Sequence, residues 1–434
     1  MAEPEVGIGL IGLGTVGAGV YRLLGERRDR IAATTGVRPQ VRGILVRDRN
    51  KKRLGVDKSL FVDSFEQMLA DPSIKVIVEV MGGQDPAFQY ASDALSAGKH
   101  VVMANKELMA THGDALLKAA RRKGVDLLFE AAVAGGIPII RAMRESLSGD
   151  RVRSVQGIIN GTTNYIVTRM SDDGLHFSRA LKDAQLHGYA EADPSNDVDG
   201  VDAAYKLAIL SSIAFRTRVR VKDIWREGIR NLHQEDIEYG RDLGYTVKLL
   251  AEAHDHDEDG VELSVAPTMI PHRHPLASVK DAFNAVLVHA EWAGELMFYG
   301  QGAGQRPTAS AVVSDVVRVL QHIATGNTGH VPPPARERRG VRRPGERRSR
   351  FYLRLRVVDV PGVLAAVAMI FSREEISLHY VIQKGLVQGD LVDVVFLTHE
   401  AQEKNMRRAV TKFGLLPSVR EVAAVLRVRD GETQ

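Results

Sequence analysis

Asp202 and Lys206 stand four residues apart, at the head of a stretch (203–213) whose residues favour helix. On a helix the acid and the amine then share one face. They follow Gly188-Tyr-Ala-Glu191-Ala-Asp193-Pro194-Ser-Asn-Asp197-Val-Asp199-Gly200, an acidic segment that Gly188, Pro194 and Gly200 punctuate as a loop. A second amine, Lys106, comes just after an apolar run and just before a helical pattern. An amine beside a carboxylate can pass a proton to an oxygen that is gaining negative charge, and a second cation can stabilise that charge. An ordinary surface ion pair beside a solvated loop fits the Asp202 and Lys206 spacing as well. A calcium loop does not: with Gly200 at the turn position, Lys206 falls where a bidentate glutamate is required.

These residues need elements to position them, and the N-terminal part supplies a recognisable set. The apolar run 6–11 enters Gly12-Leu-Gly14-Thr15-Val16-Gly17, and a helical stretch follows through Arg30. Strand, GxGxxG turn and helix in that order let backbone amides at a helix N-terminus cradle a pyrophosphate. Buried-type strands at 41–46, 76–80, 100–103 and 126–129 alternate with helical patterns, which predicts a Rossmann-like, doubly wound parallel sheet that binds ligand beyond its carboxyl edge. Lys106 lies at that edge. The second strand ends in Val46-Arg47-Asp48-Arg49, so a base, Arg47, stands where an NAD site usually places an acid, and this favours NADP. With the register shifted by one, Asp48 would serve NAD instead.

Composition bounds the rest. At 434 residues, with 44% hydrophobic and 26% charged residues, the chain is a globular protein long enough for several domains. The absence of cysteine excludes disulfides, thiol nucleophiles and Cys-ligated metals. No signal-peptide pattern and no membrane-length apolar run is present, so a cytoplasmic location is expected, with no membrane partner. The net charge of +4 is local, because residues 331–350 hold eight Arg and two Glu, and the remainder carries about −2. That segment, rich in Pro, Gly and Arg, reads as a basic linker rather than a specific nucleic-acid surface.

The middle part is expected to be mixed α+β. Glu130-Ala-Ala-Val133-Ala-Gly135-Gly136-Ile137-Pro138 offers one carboxylate and closely approachable carbonyls, enough for a hard cation, or else a plain crossover between domains. Asn160-Gly-Thr162-Thr-Asn164 has the residues of a helix N-cap, and the same groups could hold a small polar substrate. The His and Asp cluster 254–260 reads as a hairpin turn between strands 247–253 and 261–266 rather than a metal site. Strands near 285–289 and 295–299 offer a place for subunit pairing, and a helix at 308–324 would return to the first domain. After the linker, strands at 351–358, 376–383, 391–398 and 421–428 with helices from 359 and at 401–413 spell βαββαβ, a ferredoxin-like order.

Ala184-x-x-x-Gly188-Tyr-Ala-x-x-Asp193-Pro194-x-x-Asp197-Val-x-Gly200-x-Asp202-x-x-x-Lys206 resembles, without a gap, the signature of the homoserine dehydrogenases. The turn Gly12 to Gly17, Ala104-Asn-Lys106, 130–138, 160–164 and Gly302-Ala-Gly304 resemble that family in order, and Asp359-Val-Pro361-Gly362-Val-Leu resembles the start of an ACT domain. The resemblance implies NAD(P)-dependent interconversion of L-homoserine and L-aspartate 4-semialdehyde. It implies Thr15, Val16, Arg47, Lys106 and Gly302 or Gly304 at the cofactor, and Glu191 with Gly188 at the substrate amine. Lys206 would be the proton donor with Asp202 and Lys106 beside the reacting oxygen, and Glu130, Val133, Gly135 and Ile137 would hold a sodium-like monovalent cation. The expected domains are 1–135 for the dinucleotide, with 305–325 returning to it, 136–304 for catalysis and dimerisation, 326–350 as linker, and 351–434 as an ACT domain binding an amino-acid effector such as threonine. A homodimer or homotetramer is expected. Another NADP-dependent semialdehyde reductase, or an amino-acid sensor on a non-catalytic scaffold, would share most of these features.

Overall fold

A computed structural model describes residues 3–49, 51, 53, 55–329, 339–387 and 391–429. Residues 331–338, most of the Pro and Arg run of the expected linker, lie outside that range. The chain forms two compact units, Met1–Val152 with Tyr205–Val221 and Asn284–Arg338, and Arg153–Ala204 with Lys222–Phe283 and Arg339–Gln434. Among the described residues no helix is long and apolar enough to cross a membrane.

In the first unit five parallel strands lie in the order Arg38–Leu45, Glu5–Ile11, Ile74–Glu79, His100–Met103, Leu127–Leu128. The nearly unbroken apolar runs of Glu5–Ile11, Ile74–Glu79 and His100–Met103 are those of strands covered on both faces. The helical stretch after the glycine turn is two helices, Thr15–Glu26 and Arg28–Thr35, the second stopped by Gly36 in the left-handed conformation (φ 76°). The helix Gln305–Thr325 packs Val312, Val316, Val319 and Leu320 into the core made by Ile8, Leu10, Val20 and Val78. A polar tie holds its end: the buried Asp126 carboxylate accepts from the Gly329 amide (3.1 Å) and lies 3.0 Å from Nδ1 of His322. Burial works against that charge, but His100 and His322 outweigh it and hold the group down at about 2. The strands Phe283–Ala290 and Gly294–Gln301 are neighbours, and the second alternates half-buried and exposed residues.

The second unit is built on one sheet in the order Val152–Ile158, Tyr245–Asp255, Val261–Pro271, Val419–Val428, Arg348–Val358, Leu391–Thr398, Leu378–Val387. Its last four strands, with helices Val363–Arg373 and Glu403–Phe413, are the expected βαββαβ arrangement, and Phe351, Leu353, Phe371, Phe396 and Phe413 fill its core. Modules that looked separate in sequence are joined here by parallel pairing of Arg427 with Thr268 and Val428 with Met269. The basic segment is also less free than a linker composition implies. Arg339 pairs with Asp255, the Gly340 carbonyl accepts from Val261, and Arg347 is buried just before the strand Arg348–Val358. The turn at 254–260 is a hairpin tip, with Asp255 accepting from the Asp257 amide (3.0 Å).

One buried fork strengthens that joint. Arg354, 1% exposed, donates to Asp236 through Nε (2.7 Å) and Nη2 (3.1 Å) and to Asp393 through Nη1 (3.0 Å), while Tyr352 donates its hydroxyl to Asp236 (2.9 Å). Asp236 sits in the helix Gln234–Asp242 of the middle part, and Arg354 in the first strand of the C-terminal module. Removing one partner of such a pair leaves a buried charge uncompensated. Asp236→Ala is therefore expected to cost about 3–5 kcal/mol in urea unfolding of the full chain, and a loss under about 1 kcal/mol would contradict this account.

Candidate active site

The three glycines of the first turn divide their work. Gly12 (φ 96°) is pressed against the next loop, since a Cβ there would lie 2.9 Å from the Val80 carbonyl, and a Cβ at Gly17 would overlap the Gly12 carbonyl. A Cβ at Gly14 would meet nothing within 4 Å. This is the pattern of a dinucleotide turn: tight at the first position, open at the second where a pyrophosphate approaches, and closely packed at the third. Gly14 is also the N-cap of Thr15–Glu26 and has no side chain to cap with, so the amides of Thr15 and Val16 face outward as anion donors. These residues fit a dinucleotide phosphate group. Arg47 is exposed two residues past the second strand, while Arg49 pairs with Asp63 and Arg53 turns back onto the carbonyls of Asp48 and Lys51.

At the next edge loop Asn105 is buried and caps the helix Lys106–Lys123, accepting from the Leu108 amide (3.0 Å) and donating to the Gly83 carbonyl (2.6 Å). Lys106 is the exposed first residue of that helix.

The segment from Glu130 to Ile137 is buried apart from the exposed Gly136. Both oxygens of the Glu130 carboxylate accept helix-end amides, from Ile140 (2.8 Å) and Arg141 (2.9 Å), and the Glu130 amide donates to Asp315 (2.8 Å). Burial, with the nearby Asp315 charge, pushes the Glu130 carboxyl up to about 7 despite those amides. The Glu130 side chain is thus engaged as a cap. Left-handed Ala134 (φ 54°) and Gly135 (φ 48°) turn the main chain sharply beside it, so any hard cation here would draw chiefly on carbonyl oxygens. Among the described residues no cluster of three or more His, Asp or Glu forms a metal-ligand set. Gly302 is stacked against this turn: a Cβ at Gly135 would overlap its carbonyl, and a Cβ at Gly302 would overlap the buried Asn284 amide. Asn284, near the start of the apolar strand Phe283–Ala290, carried no local signal for this role.

In the second unit Asn160 organises the acidic loop. Its Oδ1 caps the helix Gly161–Asp173 through the Thr163 amide (2.8 Å), and its Nδ2 donates to both Asp197 (2.7 Å) and Asp202 (2.9 Å). One amide thereby holds two carboxylates of the signature together. Thr162 donates to the Tyr189 carbonyl (2.6 Å), tying the cap to the start of the loop. Of the groups in 160–164 that could hold a small polar substrate, Asn164 is spent inside the protein. It donates to the carbonyls of Val279, Asp281 and Phe283 and accepts from the buried Lys248. Asp193 folds onto Ser195 and Asp199 pairs with Arg230, so both shape the loop. Gly188 (φ 75°) and Glu191 are exposed on it. Asp202 and Lys206 lie one turn apart on the helix Val201–Ala214, at 5% and 9% exposure. That burial sets the two residues apart from a solvent-screened surface pair.

Residues 12–130 match the homoserine dehydrogenase NAD-binding domain, 138–317 the homoserine dehydrogenase family, and 351–414 the ACT domain. The homoserine dehydrogenase of Bacillus subtilis is 40% identical over 97% of this chain and 98% of its own length, and that of Mycobacterium tuberculosis is 43% identical over 98% of each. A crystal structure of a homoserine dehydrogenase from Thiobacillus denitrificans superposes with a TM-score of 0.92 at 41% identity, covering 98% of both chains. A hyperthermophilic archaeal homoserine dehydrogenase mutant, solved in complex with NADPH, matches at a TM-score of 0.63 and 28% identity over 73% of this chain and 97% of its own.

The division of labour among the glycines is testable. Gly17→Ala is expected to lower the Tm by several degrees and abolish cofactor binding. Gly14→Ala is expected to keep the Tm and raise the cofactor Kd about tenfold or more. Thermal scans with NADPH titration read both, and equal effects of the two variants would contradict the assignment.

Proposed function

The chain belongs to the homoserine dehydrogenase family, and from that premise we propose the residues, cofactor and regulation through which it acts. As a member it is an NAD(P)-dependent oxidoreductase acting on a CH–OH group, interconverting L-homoserine and L-aspartate 4-semialdehyde, and it carries a C-terminal ACT domain. The observation that carries the residue assignment is the unbroken signature from Ala184 to Lys206, with its acid and amine buried on one helix turn.

In the reducing direction the bound nicotinamide supplies hydride to the aldehyde carbon. Lys206 passes a proton to the oxygen as it gains charge, and in the reverse direction takes it back. Asp202 orients Lys206 and the substrate hydroxyl, itself held by Asn160. Lys106 stabilises the developing oxyanion. Glu191 binds the substrate ammonium, with Gly188 and Thr162 shaping that end. Thr15 and Val16 bind the pyrophosphate through their amides, Arg47 a 2′-phosphate, and Gly302 with Gly304 closes over the cofactor. The exposure of Arg47 supports NADP as the preferred form. Carbonyls of Val133, Gly135 and Ile137 beside Glu130 bind a sodium-like cation, a reading supported by the left-handed turn at Ala134 and Gly135.

In this assignment 1–135 with 305–325 serves the cofactor, 136–304 serves catalysis and subunit pairing in a cytoplasmic homodimer or homotetramer, 326–350 links, and 351–434 regulates. Threonine binds near Asp359 to Leu364, where Gly362 (φ 92°) opens a helix behind an exposed turn.

Lys206→Ala is expected to lower kcat by about 100-fold or more while leaving the NADPH Kd within about threefold, and retention of turnover would refute the proton donor. In the same homoserine oxidation assay, NADP should outperform NAD, Arg47→Asp should narrow or invert that preference, and threonine should inhibit. An unchanged preference would remove Arg47 from the site, and indifference to threonine would remove it as the effector.

A further inference from the structure

Glu79 ends the strand Ile74–Glu79 and is fully buried, yet among the described residues it has no basic partner. A carboxyl in such a place is costly unless it is bonded, and burial raises its pKa by penalising the charged form, against the pull of the amides of Met81 and Gly82 and of Asn105. Its Oε1 accepts from both amides, at 2.9 and 3.3 Å, while Oε2 is buried without a hydrogen-bond partner. That grip bends the chain at once into two left-handed glycines, Gly82 and Gly83, both at φ 75°. On one side the bent loop lies against the dinucleotide turn, where a Cβ at Gly12 would lie 3.0 Å from the Met81 backbone. On the other side the Gly83 carbonyl accepts from Asn105, the cap of the helix whose first residue is Lys106. The Glu79 carbonyl also accepts from the Ala104 amide (3.1 Å), two residues before that lysine.

We propose that Glu79 is a positioning residue for the reaction: it holds the Met81–Gly83 loop against the cofactor turn and, through Gly83 and Asn105, fixes the start of the helix that presents Lys106. This rests on the proposed role of Lys106. The role needs only an oxygen that accepts the two amides, so a glutamine can replace the carboxyl and an apolar side chain cannot. An apolar residue would leave the Met81 and Gly82 amides unbonded and let the loop move on both sides, and displacements of about 1 Å near a reacting centre cost about 100-fold in rate.

The experiment uses the full chain with Glu79→Gln, Glu79→Leu, Asn105→Ser, the Glu79→Leu/Asn105→Ser double variant and Lys106→Ala. Steady-state kinetics, NADPH binding by fluorescence and circular dichroism are measured for each. Glu79→Leu should lower kcat about 100-fold and raise the NADPH Kd about fivefold or more, and Glu79→Gln should restore both to within about threefold of the parent. Asn105→Ser keeps a capping hydroxyl but cannot reach Gly83, so it should lower kcat about tenfold or more, and the double variant should be no worse than the worse single. A folded Glu79→Leu with kcat within about threefold of the parent, or a double variant whose loss is the product of the singles, overturns the proposal. If Glu79→Leu does not fold, a folded Asn105→Ser with kcat near the parent overturns it instead. A harmless Lys106→Ala would sink the role of Lys106, whereas a damaging Lys106→Ala beside a harmless Glu79→Leu sinks only the role of Glu79.

Discussion

Close approach of backbone to backbone is the constraint on which the first unit depends. Gly17 must lie on the Gly12 carbonyl, Gly12 on the Val80 loop, and Gly135 on the Gly302 carbonyl, and at each contact a side chain would need the space a carbonyl occupies. Glycine is the residue that gives up a side chain and accepts positive φ without strain. These contacts set the helix Thr15–Glu26 at the end of its strand with unbonded amides outward, and they bring the loop before Gln305–Thr325 beside the turn after Glu130. An anion-binding helix end and a carbonyl-rich turn are consequences of that packing rather than additions to it.

Several polar groups buried in the second unit are each shared among more than one partner. Asn160 divides one amide between Asp197 and Asp202, and Asn164 gathers three carbonyls and Lys248. Arg354 is divided between Asp236 and Asp393. In a low-dielectric interior a half-bonded polar group is worse than none, so such networks tolerate little change in geometry. They hold the acidic loop in one shape, and they fasten the ACT strands to the catalytic strands along a common sheet.

The sequence by itself determined the elements and most of their order. Apolar runs fixed the parallel strands, since strands covered on both faces must be apolar throughout, and His100–Met103 and Leu391–Thr398 were legible to the residue. The glycine turn, the hairpin at 254–260 and the returning helix were legible because each has a local signal: spacing of glycines, Asp with Gly at a tip, and helical periodicity. Asp202 and Lys206 were legible as a pair through their spacing. Their burial was not, because an i,i+4 acid and amine look the same on a surface and in a site.

Tertiary structure alone decided who bonds to whom across long separations. Nothing local tells that Asn164 serves carbonyls more than a hundred residues away, that the Glu130 carboxylate caps a helix end, or that Arg347 of a linker-like segment is buried. The same holds for the pairing of Val428 with Met269, which joins two modules that composition separates. Hydrogen bonds and buried charges depend on distances that only the folded chain sets, whereas apolar periodicity and glycine spacing are written along the chain itself.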